Sequence, residues 1–407
     1  MRMNLGVATN GFSPETYRTR SFFRSLIAPA AMMTVIALLF SGHALAQEDS
    51  VGAVYTSTNA AEGNSVLTYS RAADGTLTSV GPGTLTGGTG VGPSAPGLPG
   101  LASQGSVTLS ADNKWLLVVN AGSNDVTVFS VTKDGLEFRS ITSTGGSTPV
   151  SVTILRNVVY VVNQGSLSVV GFRMDGKGNL TPIPGAVQVL ATGVVPVQVS
   201  FAPKGGLLVV TDIVSNTIYT LVVTNDVAGA AVPHTSNGLN PFGFAFDGKN
   251  HLVVSEGFLG TTNILGGTPS GESSVSSYNV TADGALESIT SSATTNNFLA
   301  CWVSITNDGR FAYVSDTGSG VISTFAVAPD GSLSLLNSTF INKNAPFPIL
   351  PIDTGISNDS RFLYTLVTGP GESISGWRTD QGNGSLTPTG TVGGGIIPAS
   401  AVGIAVR

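Results

Sequence analysis

The sequence predicts an all-β fold, a seven-bladed β-propeller of four-stranded blades. Three observations carry this: a phrase repeated about seven times, a recurrent tight turn, and two chain ends that complete each other. The phrase is clearest at Ser106-Val107-Thr108-Leu109-Ser110-Ala111-Asp112-Asn113-Lys114-Trp115-Leu116-Leu117-Val118-Val119-Asn120. It returns at Trp302-Val303-Ser304-Ile305-Thr306-Asn307-Asp308-Gly309-Arg310-Phe311-Ala312-Tyr313-Val314-Ser315-Asp316. A repeat of about 40–50 residues, made of short strands rich in Val, Ile, Tyr and Phe and bounded by turn residues, marks a propeller blade.

Each blade reads as four strand signals. The first often follows a proline, as at Pro149, Pro196, Pro241 and Pro351. The second ends in a polar residue: Thr58, Asn120, Asn163, Asp212, Glu256 and Asp316, with apolar Val367 as the exception. The third alternates, as in Val66-Leu67-Thr68-Tyr69 and Val126-Thr127-Val128-Phe129. A hairpin such as Asp74-Gly75, Asp283-Gly284, Asp330-Gly331 or Asn383-Gly384 leads to the fourth, because glycine takes up φ > 0 without steric cost. The N-terminal stretch Gly52-Ala53-Val54-Tyr55 matches a second strand and lacks a first one. The tail from Pro398 to Val406 reads as a first strand with nothing after it. The tail, residues 398–407, is therefore expected to supply the innermost strand of blade one, which pairs two open edges and closes the ring.

Residues 1–46 read as a secretory signal peptide. Arg18, Arg20 and Arg24 precede an apolar run from Leu26 to Phe40, and Ala44-Leu45-Ala46 follows as a cleavage site. The run is shorter than the roughly 20 residues that span a bilayer, so a periplasmic or secreted protein with no stable membrane span after cleavage is expected. Residues 47–407 form one propeller domain. They carry 14 basic and 23 acidic side chains, a net charge of −9, which disfavours nucleic acid as a partner. With Cys301 as the single cysteine, haem attachment and zinc-binding Cys-x-x-Cys pairs are excluded. Cys301 sits in an apolar strand and reads as a small buried hydrophobe. Gly87-Gly88-Thr89-Gly90 lacks the lysine and helix of a phosphate cradle, so no nucleotide is expected.

The Asp-Gly-Arg-Phe-Ala-Tyr-Val phrase at 308–314 and the Asp-Gly-Ser-Leu phrase at 330–333 resemble the lactonase-type seven-bladed propellers. That group includes 6-phosphogluconolactonase-like and carboxymuconate-cyclase-like proteins and grades into YVTN-repeat propellers. The resemblance spans residues 52–407 and implies hydrolysis of a cyclic ester in the central channel. Sugar-phosphate lactonases of this kind carry a Pro-Arg-His phrase at the start of a late blade and an Asn-Glu pair at its second-strand end. This chain has Ala300-Cys301-Trp302 and Ser315-Asp316 there, so their phosphorylated substrate does not transfer.

Propeller ligands usually enter from the face bearing the second-to-third-strand loops and the connectors between blades, and two long loops fall there, 81–104 and 257–273. Either they are surface insertions or they form a lid. Asp212, Glu256 and Asp316, with Asn120 and Asn163, would form a polar crescent if all pointed to the channel. Glu256 and Asp316 are then candidate catalytic groups, through a raised pKa and general-base action on water. Asn120, Asn163 and Asp212 are candidate substrate ligands, and the carboxylates could instead hold a divalent cation such as Ca²⁺. The structural alternative is that these residues close local Asx-type turns. His234, after Pro233, is placed in a loop facing the channel mouth and is the third catalytic candidate. His251 is assigned to the far face with Lys114, Lys204, Lys249, Arg310 and Arg361, all in first-to-second-strand turns.

Two functions stand side by side at this point. One is an exported hydrolase of a non-phosphorylated lactone. The other is a non-catalytic envelope propeller, expected as a monomer, that binds a protein, glycan or small ligand.

Overall fold

The computed structural model describes residues 50–95, 98–258, 271–344, 349–369, 371–393 and 395–407, all within the compact unit Gln47–Arg407. The signal segment lies outside the described residues, as does most of the 257–273 loop. Among the described residues no helix is long and apolar enough to cross a membrane.

Among the described residues seven antiparallel blade sheets are present beside one small two-stranded sheet, and each blade runs from an innermost first strand to the outermost strand. The first strands are Val107–Leu109, Pro149–Leu155, Pro196–Phe201, Pro241–Phe246, Ala300–Ile305 and Leu350–Ile356 in blades two to seven, and Val402–Val406 in blade one. Each touches its neighbours around a closed ring, and Val402–Val406 lies between the first strands of blades seven and two. It pairs antiparallel with Gly52–Ser57, with Val54 opposite Val406 and Tyr55 opposite Ala405. The closure holds, although the strand starts at Val402, after a turn in which the Ala401 N–H bonds the Pro398 carbonyl. The second strand of blade one ends at Ser57, one residue before Thr58, and that of blade seven runs through Val367 to Thr368.

Packing between blades is tight because the interfaces are apolar on both faces of each sheet. Tyr55, Tyr160, Tyr313 and Tyr364 are among the largest fully buried side chains. The Asp-Gly turns matter to this packing. Gly75 has φ +93°, and a Cβ there would collide with the Phe362 ring of blade seven. The same turn accepts the Tyr364 hydroxyl at 2.7 Å. Arg71, which is buried, donates to the Arg407 carbonyl at 3.2 Å and lies 5.2 Å from the Phe362 ring centroid. Side-chain hydroxyls also stitch adjacent blades together, as from Thr317, just past the second strand of blade six, to the Pro351 carbonyl at 2.8 Å and from Ser304 to the Thr354 carbonyl at 3.0 Å.

Candidate functional site

The channel has two ends. The first strands enter from the connector face, where second-to-third-strand loops and blade-to-blade connectors lie, and they leave at the turn face, where the first-to-second-strand turns lie.

At the connector face the predicted crescent is present in sequence order, but its members do not converge. Asn120, Asn163, Asp212, Glu256 and Asp316 are all fully buried, each bound within its own blade or the neighbouring loop. Asp212 accepts the N–H groups of Val195 at 2.6 Å, Val214 at 3.1 Å and Ser215 at 3.1 Å, and the Ser215 hydroxyl. Glu256 accepts the Gly238 N–H at 2.7 Å and the hydroxyls of Ser236, Ser274, Ser276 and Ser292. Asp316 accepts Ser323 at 2.6 Å and Ser273 at 3.3 Å. Its pKa is pushed up to about 7 by burial, against the lowering effect of its hydroxyl donors. Asn120 donates to Asp125 and Thr127 and accepts from Asn64 and Thr86, whereas Asn163 reaches only Ser168, at 3.4 Å. Among the described residues no three His, Cys, Asp or Glu side chains come together as a metal site.

His234 is not in a channel-facing loop. It belongs to Val232–Thr235, an outer-edge strand of blade four, with Nε2 2.9 Å from the Thr220 hydroxyl, and burial lowers its pKa. Pro233 fits there because an edge strand tolerates a missing N–H. His251 Nδ1 lies 2.7 Å from Asp247 in the blade-five turn. Cys301 is buried, and burial pushes its thiol up to about 12, as expected of an inert residue.

The 81–104 loop is a surface insertion over its first part, where Gly81, Leu85 and Pro93–Ala95 are exposed, but its end turns inward rather than capping the mouth. Gly90 and Gly92 bond back to Ala60 and Asn59, Pro93–Ala95 pairs with Leu98–Pro99, and residues 101–105 then cross the channel. Ser103 donates to the Val150 carbonyl of blade three at 2.7 Å, and the Gln104 N–H bonds Val197 of blade four at 3.2 Å. The Gln104 amide bonds both the carbonyl and the N–H of Val303 in blade six, at 2.8 and 3.0 Å. The Trp302 indole N–H bonds the Ser103 carbonyl at 2.8 Å. Trp302 thus holds the strap. Around it Val197, Phe242, Cys301 and Ile352 form one apolar cluster with Ala102 against it, and the Phe242 and Trp302 rings meet edge to face at 4.9 Å.

At the turn face a cavity of about 460 Å³ is lined by six of the seven first strands, with Gln104 and Gly105 of the strap. Rim residues Ala111, Pro203 and Asn358 are exposed, so its mouth is on the face assigned above to the far side. The turn cations thus share the face of the mouth, but Lys114, Arg310 and Arg361 are paired with Asp112, Asp308 and Asp359, and no Lys, Arg or His is among the lining residues.

One lining residue carries a charge-bearing group, Asp353, which the sequence reading did not single out. It is the only charged residue in the seven first strands. In blades three, four and six the strand irregularity falls directly after the first residue, whereas in blade seven it falls at Asp353. A bulge re-aims a side chain, and Asp353 holds a left-handed backbone, φ 46°, at a cost of about 1 kcal/mol. The residue is 3% exposed. Oδ1 accepts the Thr354 N–H at 3.0 Å and Oδ2 completes no hydrogen bond. Burial drives its pKa well above the usual carboxylate range, opposed by the nearby N–H groups of Thr354, Ile404 and Gly403. A buried carboxyl without a counter-ion, in a cavity, has the properties of a general acid or base.

No curated protein sequence matches the chain. Among solved structures it resembles the periplasmic gluconolactonase of Pseudomonas aeruginosa, at 18% identity over 87% of this chain and 98% of that one, TM-score 0.66. It also resembles a 6-phosphogluconolactonase-like protein of Bacteroides fragilis, at 19% identity over 88% and 98%, TM-score 0.65. At these identities the likeness is one of fold. The model of the lactonase, 7-bladed beta-propeller family matches residues 65–197 and 193–396, and the chain belongs to that family.

Proposed function

We propose that this protein is an exported hydrolase that opens a non-phosphorylated lactone in the turn-face well, with Asp353 as general base. Asp353 is the observation that carries the reading: the one charged side chain of the inner ring, desolvated and set in a strained bulge against a cavity. Its raised pKa makes the ionised form a stronger base, suited to taking a proton from water as that water attacks the ester carbonyl. A wall without Lys, Arg or His favours a ligand without phosphate. Export, to the periplasm or medium, rests on residues 18–46 alone.

The test is turnover of neutral γ- and δ-lactones by residues 47–407 and by its Asp353→Asn variant. Loss of a positioned base should cost about 10²–10⁴-fold in kcat. An Asn variant as active as the parent would overturn the assignment. Because the base must be ionised, kcat/KM should rise with pH through a range above that of ordinary carboxylates.

One observation favours a second reading, a non-catalytic ligand-binding well. The Gln104 and Gln198 amides are already bonded to backbone, which leaves few donors for an oxyanion. Binding of a lactone without turnover, in parent and variant alike, would select it.

A further inference from the structure

The strap has a consequence for what the well can hold. A segment of five residues, 101–105, bonds the inner strands of blades three, four and six, and Gln104 adds a long contact of 3.5 Å to the Phe244 carbonyl of blade five. Only a segment lying across the axis of the ring can reach blades so far apart around it. On the connector side of the strap the space is taken by the Phe242 and Trp302 cluster, and on the turn side Gln104 and Gly105 face the cavity. Among the described residues the channel is a blind well with a floor, not a through-pore. Gln104 is only half-buried although its amide is bonded on both sides, because one surface of the side chain is the floor itself.

We infer that Gln104 is a specificity-determining residue: it sets the depth of the well and restricts it to single-ring ligands admitted from the turn face. This rests on the well being the substrate site. At about 460 Å³ the cavity lies toward the small end of ligand pockets, with room for one ring and water. Extended ligands that would thread a propeller pore are stopped at the Gln104 amide. The floor is also stiff. Moving Gln104 leaves the Val303 N–H, buried in an inner strand, without a partner, so ligand binding alone does not displace it.

The experiment compares Gln104→Ala, which empties the floor, with Gln104→Met, which keeps its length without its hydrogen bonds. Two readouts are taken. One is the ratio of kcat/KM for a two-ring lactone to that for a one-ring lactone. The other needs no activity: acrylamide quenching of Trp302 fluorescence in a background with Trp115→Phe and Trp377→Phe, which leaves Trp302 as the one tryptophan, since Trp302 is 2% exposed and sits behind Gln104. The Ala variant should gain about tenfold or more in the two-ring ratio and show increased quenching, with the Met variant close to the parent in both. Should the Ala variant not fold, Gln104→Asn, one methylene shorter, must move both readouts the same way. Unchanged quenching and an unchanged ratio in the shortened variant overturn the inference. Increased quenching with no lactone turned over by any variant supports the blind well and overturns the hydrolytic reading instead.

Discussion

The two ends of the channel are built from the same repeat and put to opposite uses. At the connector face the polar residues that recur at the second-strand ends are taken up by hydrogen bonds from their own blade or the adjoining one, with Asn163 Oδ1 the exception. Glu256 alone gathers one N–H and four hydroxyls. At the turn face the first strands are neutral throughout except for Asp353, whose second oxygen completes no hydrogen bond. A polar residue that recurs in blade after blade is doing what every blade needs, namely ending a strand and seating a hairpin. A charge that occurs in one blade only, where its counterparts are uncharged, costs desolvation and backbone strain that folding does not require. In a repeat protein the break in the pattern is the better pointer to chemistry.

The largest test of this contrast removes the wall that both ends share. Deleting residues 402–407 exposes the partners of Val402, Ile404 and Val406, all buried. At about 1.5–3 kcal/mol per apolar side chain the loss is about 5–9 kcal/mol, comparable to the whole stability of a domain. Circular dichroism should show no cooperative melt near the parent temperature, and a melt unchanged by the deletion would mean that the ring is not closed by this strand. Next, Glu256→Ala strands the Gly238 N–H and the hydroxyls of Ser274 and Ser276 in a dry interior. Denaturant unfolding should show a loss of about 3 kcal/mol, while kcat on any accepted lactone stays within a factor of two or so of the parent's, as befits a strand cap. A large fall in kcat with stability intact would return Glu256 to the catalytic list.

Most of the scaffold was legible because it is written in local chemistry. Asp-Gly pairs demand left-handed glycines, and Gly75, Gly284 and Gly331 adopt them. The unmatched chain ends demanded each other. What escaped was long-range. Nothing in the composition of 81–104 says that it turns inward, since its anchors are main-chain atoms of blades three to six, more than forty residues away along the chain. His234 was misplaced because Pro233 was read as a loop signal, when an edge strand accepts it. Asp353 was visible and passed over: Pro351-Ile352 was read for its leading proline, and the charge that follows is absent from the other six first strands.

The smaller tests turn on the sign of a pH effect. Asp353 has a pKa above its unfolded value, so between the two values the folded state binds more protons than the unfolded one, and stability falls as pH rises through that window. Asp353→Asn removes the penalty. It should raise the melting temperature at pH 8 and leave it nearly unchanged at pH 3, even as turnover is lost, in the usual opposition of stability and site chemistry. A variant less stable than the parent at pH 8 would make Asp353 a structural anchor rather than a site residue.

Asp316 allows the same measurement at the other end of the channel. Its pKa, pushed up to about 7 by burial, lies above the ordinary carboxylate value, so its contribution also favours the folded state at low pH and is lost as pH rises toward 7. The difference is in the neighbours. Ser323 donates to Oδ2 of Asp316 and Ser273 to Oδ1, so an Asn in its place offers one acceptor where two are used, and one of these hydroxyls must turn round to accept from the NH₂. Asp316→Asn should therefore flatten the fall in stability between about pH 4 and pH 7 while gaining less at pH 8 than Asp353→Asn does. If the two substitutions stabilise equally, the connector-face carboxyls are as poorly satisfied as the turn-face one, and the distinction drawn from their hydrogen bonds fails.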